Sequence, residues 1–222
     1  MKKQLLLGLV LFLAGCQAAG QQAAAVTSSE PVAVLTPPAP SPWAEDRIHA
    51  AMEVAKEDLR GGKTLQVVKT LDPLIVAHPD NLDARALRAV AYYQQGLPVI
   101  ALHDAEAVLA KAPQHPQAIY CRALCRLNGP DPKTSLKDFD LAVKLLPGEM
   151  EVRYHRAVAL SLVGKNQAAL QDLNAVLKAL PDFAPAYQQR AMVYHQLHDK
   201  KRALADVKMM KKLMLPLHSQ AR

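Results

Sequence analysis

The side chains best suited to covalent chemistry in this sequence are three cysteines, Cys16, Cys121 and Cys125. Cys16 follows an apolar stretch near the N-terminus, whereas the other two lie four residues apart. On a helix such a pair shares one face, with Cα atoms about 6 Å apart, a distance that a disulfide accepts. Because a bond within one helical turn is awkward, we favour two small buried residues at a helix contact and keep the disulfide as the alternative.

A second chemical pair is formed by His195 and His198, since closely spaced histidines can begin a metal site. A zinc site needs three or four ligands, and no partner stands at a recognised spacing, so we interpret both as turn residues. No Ser-His-Asp order, glycine-rich phosphate loop or pair of catalytic carboxylates emerges either. The sequence therefore predicts no metal and no cofactor. The absence of a motif does not exclude an enzyme, and we predict no enzymatic activity because the repeat described below occupies nearly all of the folded chain.

The charge is unevenly distributed. The chain has 27 Lys and Arg against 20 Asp and Glu, and residues 185–222 hold eight of the basic side chains but only Asp199 and Asp206 as acids. A nucleic-acid-binding surface is normally broader and interleaved with stacking aromatics, so we predict no nucleic-acid partner. A basic C-terminal helix can attract anionic lipid headgroups, although a solvated outer face is the simpler interpretation.

The N-terminus has the three parts of a secretory signal. Lys2 and Lys3 precede an apolar run at 5–14, and small residues lead to Cys16. The run is shorter than the roughly 20 residues that a membrane-spanning helix needs. We predict a signal peptide at 1–15, followed by a flexible linker at 16–43 that is rich in Pro, Ala, Ser and Gln.

Leu13, Ala14, Gly15 and Cys16 match the lipobox, so the N-terminus resembles a bacterial lipoprotein signal. The resemblance implies cleavage before Cys16 and attachment of lipid to its thiol, and multiple acyl chains hold a protein firmly to a membrane. In that family Asp after the cysteine favours the inner membrane, and Gln17 stands there instead. We therefore expect an outer-membrane protein that faces the periplasm.

The rest of the chain follows a 34-residue period, which is typical of a stacked repeat array. The recurring residues are Pro79, Pro113, Pro147 and Pro181; Arg88, Arg122, Arg156 and Arg190; and Asp104, Asp138, Asp172 and Asp206. Abundant Ala and Leu favour helices over strands. We predict one domain at 44–217 and a tail at 218–222. Its repeats would span 48–81, 82–115, 116–149, 150–183 and 184–217, numbered here one to five.

Repeat two carries the signature of a known family. Its Ala89, Tyr92, Gly96, Ala101 and Pro113 occupy the small, aromatic, turn, small and terminal positions of the tetratricopeptide repeat, which this chain resembles. The resemblance implies an all-α superhelical solenoid of about five helix-turn-helix units. In repeat two we expect helices at about 82–95 and 98–111, because apolar residues recur there at helical spacing.

The Arg and Asp columns predict structural ion pairs. Repeat one lacks both residues and has Val54 and Thr70 in those positions. Joint absence favours pairing between the Arg and Asp of one repeat, while pairing with the following repeat is also open because second helices touch the next first helix.

In the tetratricopeptide fold the first helices line a concave groove, so the resemblance also implies a binding surface. The residues expected there are Tyr93, Tyr120, Leu124, Leu127, Tyr154, Val158, Leu162, Met192 and His195. Rigid tyrosines suit recognition of a protein or peptide partner. The alternatives are that other segments cover the groove or that some of these residues pack between helices.

The layout is similar to two groups of lipoproteins, the pilotins that assist pilus and secretin assembly and the adaptors that bind peptidoglycan synthases or hydrolases. This analogy rests on layout alone. It predicts a scaffold for envelope assembly, with pilus biogenesis slightly favoured. A module that binds lipid or an envelope polymer through the basic C-terminal helix is a further alternative.

Overall fold

The computed structural model describes residues 43–215, which form helices and short turns with no strand among them. The predicted signal peptide, Cys16, most of the linker and the predicted tail lie outside the described residues. The helices are α1 Glu45–Arg60, α2 Thr64–Ala77, α3 Leu82–Gln94, α4 Pro98–Lys111, α5 Pro116–Leu127, α6 Lys133–Leu145, α7 Met150–Leu162, α8 Asn166–Ala179, α9 Ala184–Gln196 and α10 Lys200–Met214. Consecutive helices pair as one unit per predicted repeat, which confirms the all-α fold class. No helix within 43–215 is long and apolar enough to cross a membrane.

The recurring prolines mark where each second helix ends. The two residues after α2, α4, α6 and α8 are in each case a cap residue and then the proline. The caps share one backbone conformation, for example φ −129° and ψ 83° at Ala112 and φ −128° and ψ 77° at Leu180. A residue before proline avoids the helical region, so the helix stops at the same position in four repeats.

Inside a repeat, the turn between the two helices needs one residue of left-handed backbone. Gly62, Gly96 and Gly164 supply it with φ of 71°, 76° and 77°, a region that glycine enters without steric cost. His198 takes the equivalent position in repeat five with φ 61°. Repeat three departs from this pattern, because five residues, 128–132, separate its two helices instead of three.

Small side chains allow the helices of each pair to approach closely. Ala89, Ala123 and Ala157 are fully buried on the first helices, and Ala101 and Ala169 on the second. Larger residues then fill the spaces between successive units, with Phe139 at the centre of the stack. Buried residues group into three clusters that succeed one another along the chain, so each repeat depends on its neighbours for a core.

Cys121 and Cys125 lie in this core as free thiols. A hydrogen bond with Cys125 and burial together raise the pKa of Cys121. The structure therefore has them as the buried pair at a helix contact, and the disulfide is not formed in it.

The Arg and Asp columns form a ladder of bidentate contacts along the stack. In each of repeats two to five, Nε and Nη2 of the Arg on the first helix donate to the two carboxylate oxygens of the Asp on the second. The distances are 2.8 and 2.9 Å for Arg88–Asp104, 2.9 and 2.8 Å for Arg122–Asp138, 2.7 and 2.7 Å for Arg156–Asp172, and 2.8 and 2.7 Å for Arg190–Asp206. All four aspartates are buried. Such charge-assisted fork contacts fix helix orientation as well as adding energy.

The same guanidinium groups also reach the preceding repeat. Nη1 of Arg88 donates to Asp72 at 2.9 Å, that of Arg156 to Asp140 at 3.2 Å, and that of Arg190 to the Asn174 side chain at 2.8 Å. Repeat three differs, because Arg126 is the second donor to its Asp138, at 2.9 Å. Of the two pairing modes that the sequence left open, the structure has the one within a repeat. The contacts with the preceding repeat use acceptors outside the Asp column, so Arg88, Arg156 and Arg190 each join three helices.

Candidate functional site

A cavity of about 870 Å³ is lined mainly by residues of the first helices α1, α3, α5 and α7 and of the turns that precede them. We call it the concave groove. It is lined by Glu45, Ile48, His49, Met52, Lys56, Leu59, Arg60, Asn81, Asp83, Leu87, Val90, Tyr93, Gln94, His115, Gln117, Tyr120, Leu124, Leu146, Glu149, Glu151, Val152 and His155. Its volume falls in the range of ligand-binding clefts.

The floor of the groove is apolar and aromatic. Val90, Leu124 and Val152 are buried core residues that expose an edge to it. Tyr120 is also mostly buried, and its ring packs edge-on against Phe139 with centroids 6.3 Å apart. Tyr93 is half-buried, and its hydroxyl accepts a hydrogen bond of 2.7 Å from the Asn128 side chain. The floor is therefore a rigid surface rather than a set of mobile side chains.

One wall is acidic and belongs to the N-terminal ends of α3 and α7. Asp83 and Glu151 stand in first helical turns, and Glu149 is the N-cap of α7. The positive end of a helix dipole favours acids at these positions. Partial desolvation and the charge of Glu149 raise the pKa of Glu151, so this carboxylate lacks a cation that would stabilise it.

Two histidines are built into the same wall. The ring of His115 caps α5, with Nδ1 accepting from the amide of Ala118 at 3.4 Å and Nε2 lying 2.9 Å from Asp83 Oδ1. Nδ1 of His155 lies 2.9 Å from the Tyr120 hydroxyl and 3.0 Å from the carbonyl oxygen of Glu151. Burial lowers the pKa of His155, which favours the neutral imidazole. With its proton on Nδ1, the ring donates to the Glu151 carbonyl oxygen, and Nε2 is left as the acceptor.

The basic side chains of the groove all come from α1. Lys56 and Arg60 each pair with an acid one turn earlier on the same helix, at 2.8 Å to Glu53 and 3.2 Å to Glu57. These exposed pairs are worth little and leave the cations free to exchange partners. The groove therefore has one basic edge and one acidic wall across an aromatic floor.

The sequence-predicted groove residues divide into three groups. Tyr93, Tyr120 and Leu124 line the concave groove. Leu162, Met192 and His195 are exposed but lie outside it. Leu127, Tyr154 and Val158 pack between helices: Leu127 and Val158 against the core, and Tyr154 edge-on against Phe183 with centroids 5.2 Å apart.

The expected exposure of Tyr120, Leu124 and Leu127 is corrected by the structure. Leu124 and Leu127 are only 3% and 7% exposed, because adjacent first helices approach closely at these positions. The groove surface is consequently less apolar and more charged than the sequence suggested.

The contribution of repeat one was missed, although the sequence held a signal for it. The groove is also lined by residues of α1, among them His49, Met52, Lys56, Leu59 and Arg60. Leu59 stands one 34-residue period before Tyr93, a predicted groove residue, so the period held the signal.

No cluster of three or more potential metal ligands occurs among residues 43–215. His195 is exposed near the end of α9, and His198 forms the left-handed turn residue that follows it.

Solved structures share this architecture. MamA residues 41 to the end from Desulfovibrio magneticus RS-1 superposes with a TM-score of 0.60 at 16% identity, covering 80% of this chain and 98% of that one. A MamA point mutant gives 0.58 at 19%, covering 76% and 97%. YrrB, described as a TPR protein with an unusual peptide-binding site, gives 0.57 at 17%, covering 76% and 87%. No protein-family model matches the chain, and no curated protein does. At these identities the likeness establishes a tetratricopeptide-like fold.

Proposed function

We propose that this chain is a non-catalytic scaffold that binds a protein or peptide partner in the concave groove. The observation that carries the proposal is the groove itself, a cavity of about 870 Å³ with an aromatic floor, a basic edge and an acidic wall. An extended peptide or an amphipathic helix fits such a surface. The description of YrrB as a TPR protein with a peptide-binding site supports the same use of this fold.

The groove chemistry favours a particular kind of partner segment. A basic side chain would be attracted to Glu149 and Glu151, and its charge would ease the ionisation of Glu151. Apolar or aromatic side chains would lie on Tyr93 and Tyr120. An acidic residue at the far side would compete for Lys56 or Arg60 of α1. We therefore propose a segment with a basic and an acidic end and apolar residues between them.

Capture from envelope extract tests this proposal. Glu149→Lys reverses one charge in the acidic wall, and Asp182→Lys makes the same reversal at an exposed residue outside the groove. We expect the first variant to lose captured proteins that the wild type and the Asp182→Lys control retain. Equal capture by all three proteins would contradict partner binding in the concave groove. Far-ultraviolet circular dichroism checks that each variant is folded.

The proposal includes an anchor at Cys16 in the outer membrane, with the scaffold facing the periplasm. The lipobox and Gln17 support it. Intact-mass measurement of the membrane-extracted protein should show a lipid-sized increment and a chain that begins at Cys16, whereas Cys16→Ser should lack both. A wild-type protein without that increment would contradict the anchor.

We propose envelope assembly as the setting, with pilus or secretin biogenesis as the first candidate and a peptidoglycan synthase or hydrolase adaptor as the second. The identity of the captured protein separates them, since the first requires a secretin or pilus component and the second a cell-wall enzyme. A captured protein from neither group would contradict both.

A further inference from the structure

Each junction inside the stack buries one apolar pair at a fixed register. The second helix of one repeat contributes Ile75, Leu109, Val143 or Leu177, and the first helix of the next contributes Ala91, Cys125, Ala159 or Val193. Each pair belongs to a single buried cluster. The same two positions occur once more at the ends of the stack, on α10 and on α1, where the described chain has no further helix to cover them.

At those ends the two positions carry opposite charges. Lys211 of α10 lies 34 residues after Leu177 and so takes the position that Ile75 and Leu177 have in their repeats. Glu57 of α1 lies 34 residues before Ala91 and takes the position of Ala91 and Val193. Both are exposed, and Glu57 contacts only Arg60 of its own helix within the described residues. A solenoid needs polar outer faces on its terminal repeats, but that need does not require the two ends to carry complementary signs.

At a second pair of positions, both ends of the stack differ from the internal repeats. Asp72, Asp140 and Asn174 accept a hydrogen bond from the Arg of the following repeat, and Lys208 of α10 stands in their column. The Arg column, continued to α1, holds Val54, which is 53% exposed. An Arg there would repel Lys208, whereas a valine does not.

Apolar surface surrounds these positions on both ends. On α10, Leu204 is 56% exposed, although Leu170 in the same column is buried. On α1, Ala50 is exposed, although its counterparts Ala84 and Ala118 are fully buried. The charge balance of the helices is also complementary, since α1 has five acids against three bases and α10 has six bases against one acid.

From these observations we infer that a second copy of this chain docks head to tail, with α10 of one copy on α1 of the next in the register of an internal junction. Lys211 then faces Glu57, and Lys208 faces Val54. Val54, Glu57, Lys208 and Lys211 do not line the concave groove, although Glu57 pairs with Arg60, which does. Because this interface is heterologous, further copies can add at either end. An exposed ion pair contributes little by itself, so the association should be weak and concentration-dependent.

Charge reversal tests this inference in residues 16–222 carrying Cys16→Ser, so that neither a lipid nor the apolar run at 5–14 can drive association. Sedimentation velocity should show a weight-average mass that rises with concentration. Lys211→Glu and Glu57→Lys should each weaken association by on the order of tenfold, since each turns an attraction into a repulsion. An equimolar mixture of the two single variants should associate again, because each then meets a complementary end.

Lys201→Glu is the matched control, since it makes the same charge change on α10 in a column whose other members, such as Leu65 and Val99, are exposed in the stack. It should associate like the parent protein. A parent mass that does not change with concentration would overturn the inference, as would a mixture that stays dissociated. Equal weakening by Lys201→Glu and Lys211→Glu would also overturn it, in favour of general attraction to an acidic surface.

Discussion

The Arg–Asp ladder and the concave groove use the repeat in opposite ways. The ladder places the same two residues at the same two positions in four successive units, and its aspartates are buried. The groove is built from positions whose residues differ in every unit, such as His49, Asp83, Gln117 and Glu151. Identical residues recur in the ladder because the two helices of each unit meet in the same geometry. Varied residues give the inner face its own pattern of charge, and that pattern is what a partner can recognise.

The largest effect should come from breaking one ladder contact. Arg88→Met leaves the carboxylate of Asp104, whose side chain is 4% exposed, without its bidentate donor, and we expect a loss of about 2–4 kcal/mol in the free energy of unfolding. Chemical denaturation measures it. In the double variant Arg88→Met/Asp104→Leu most of the loss should return, since an apolar pair can replace a buried ion pair. A single variant as stable as the wild type would show that the ladder does not hold the stack together.

The left-handed turn position allows the same comparison between two repeats, because repeat two has Gly96 there and repeat five has His198. His198→Gly should stabilise the protein by up to about 1 kcal/mol, because glycine relieves the left-handed strain that histidine bears there. Gly96→Ala is the reciprocal change and should cost about 1 kcal/mol. Thermal or denaturant unfolding of both variants tests the pair. A destabilised His198→Gly protein would mean that the histidine ring makes contacts worth more than the strain.

The groove should show a pH dependence that the ladder does not explain. Burial lowers the pKa of His155 in the folded protein. The stability contributed by its neutral imidazole is therefore fully present above the ordinary histidine pKa of about 6.5. It should decline as the pH falls through that value toward the lowered pKa of the folded state. Unfolding free energies of the wild type and His155→Gln, measured across this range, should converge as the pH falls. Parallel curves would exclude His155 as the cause.

The smallest change in stability should come from the acidic wall. Glu151→Gln removes a carboxylate whose raised pKa shows that its charged form is disfavoured. At neutral pH we expect the variant to be more stable by a few tenths of a kcal/mol, below the usual limit for surface substitutions, while capture of a basic partner falls. A clear loss of stability would show that Glu151 stabilises the fold, as the ladder residues do, and would contradict this prediction.

The 34-residue period was enough to predict the helix pairs, the ends of the second helices at the prolines and the residues of the ladder. It did not reveal the second acceptors Asp72, Asp140 and Asn174, although they also recur at 34 with Glu106. A guanidinium has donors beyond the two that grip the buried aspartate, so a further acceptor in the preceding repeat could have been expected.

The groove was predicted less well for a physical reason. Periodicity identifies which positions recur, but not how far the stack turns from one unit to the next. Leu124 was placed in the groove by the period and lines it, whereas Met192, two periods later at the same repeat position, lies outside it. The groove is lined by residues of the first four units, and how far it extends depends on side-chain packing that a single sequence does not display.

The dependence of each unit on its immediate neighbours has a kinetic consequence. Almost all contacts join helices close together along the chain, so little chain entropy opposes the formation of a nucleus and the stack should fold rapidly. Any adjacent pair of units can begin the process, and the boundary then advances one unit at a time. Opening should run in reverse from the termini, so amide hydrogen exchange should be fastest in α1 and α10 and slowest around Phe139.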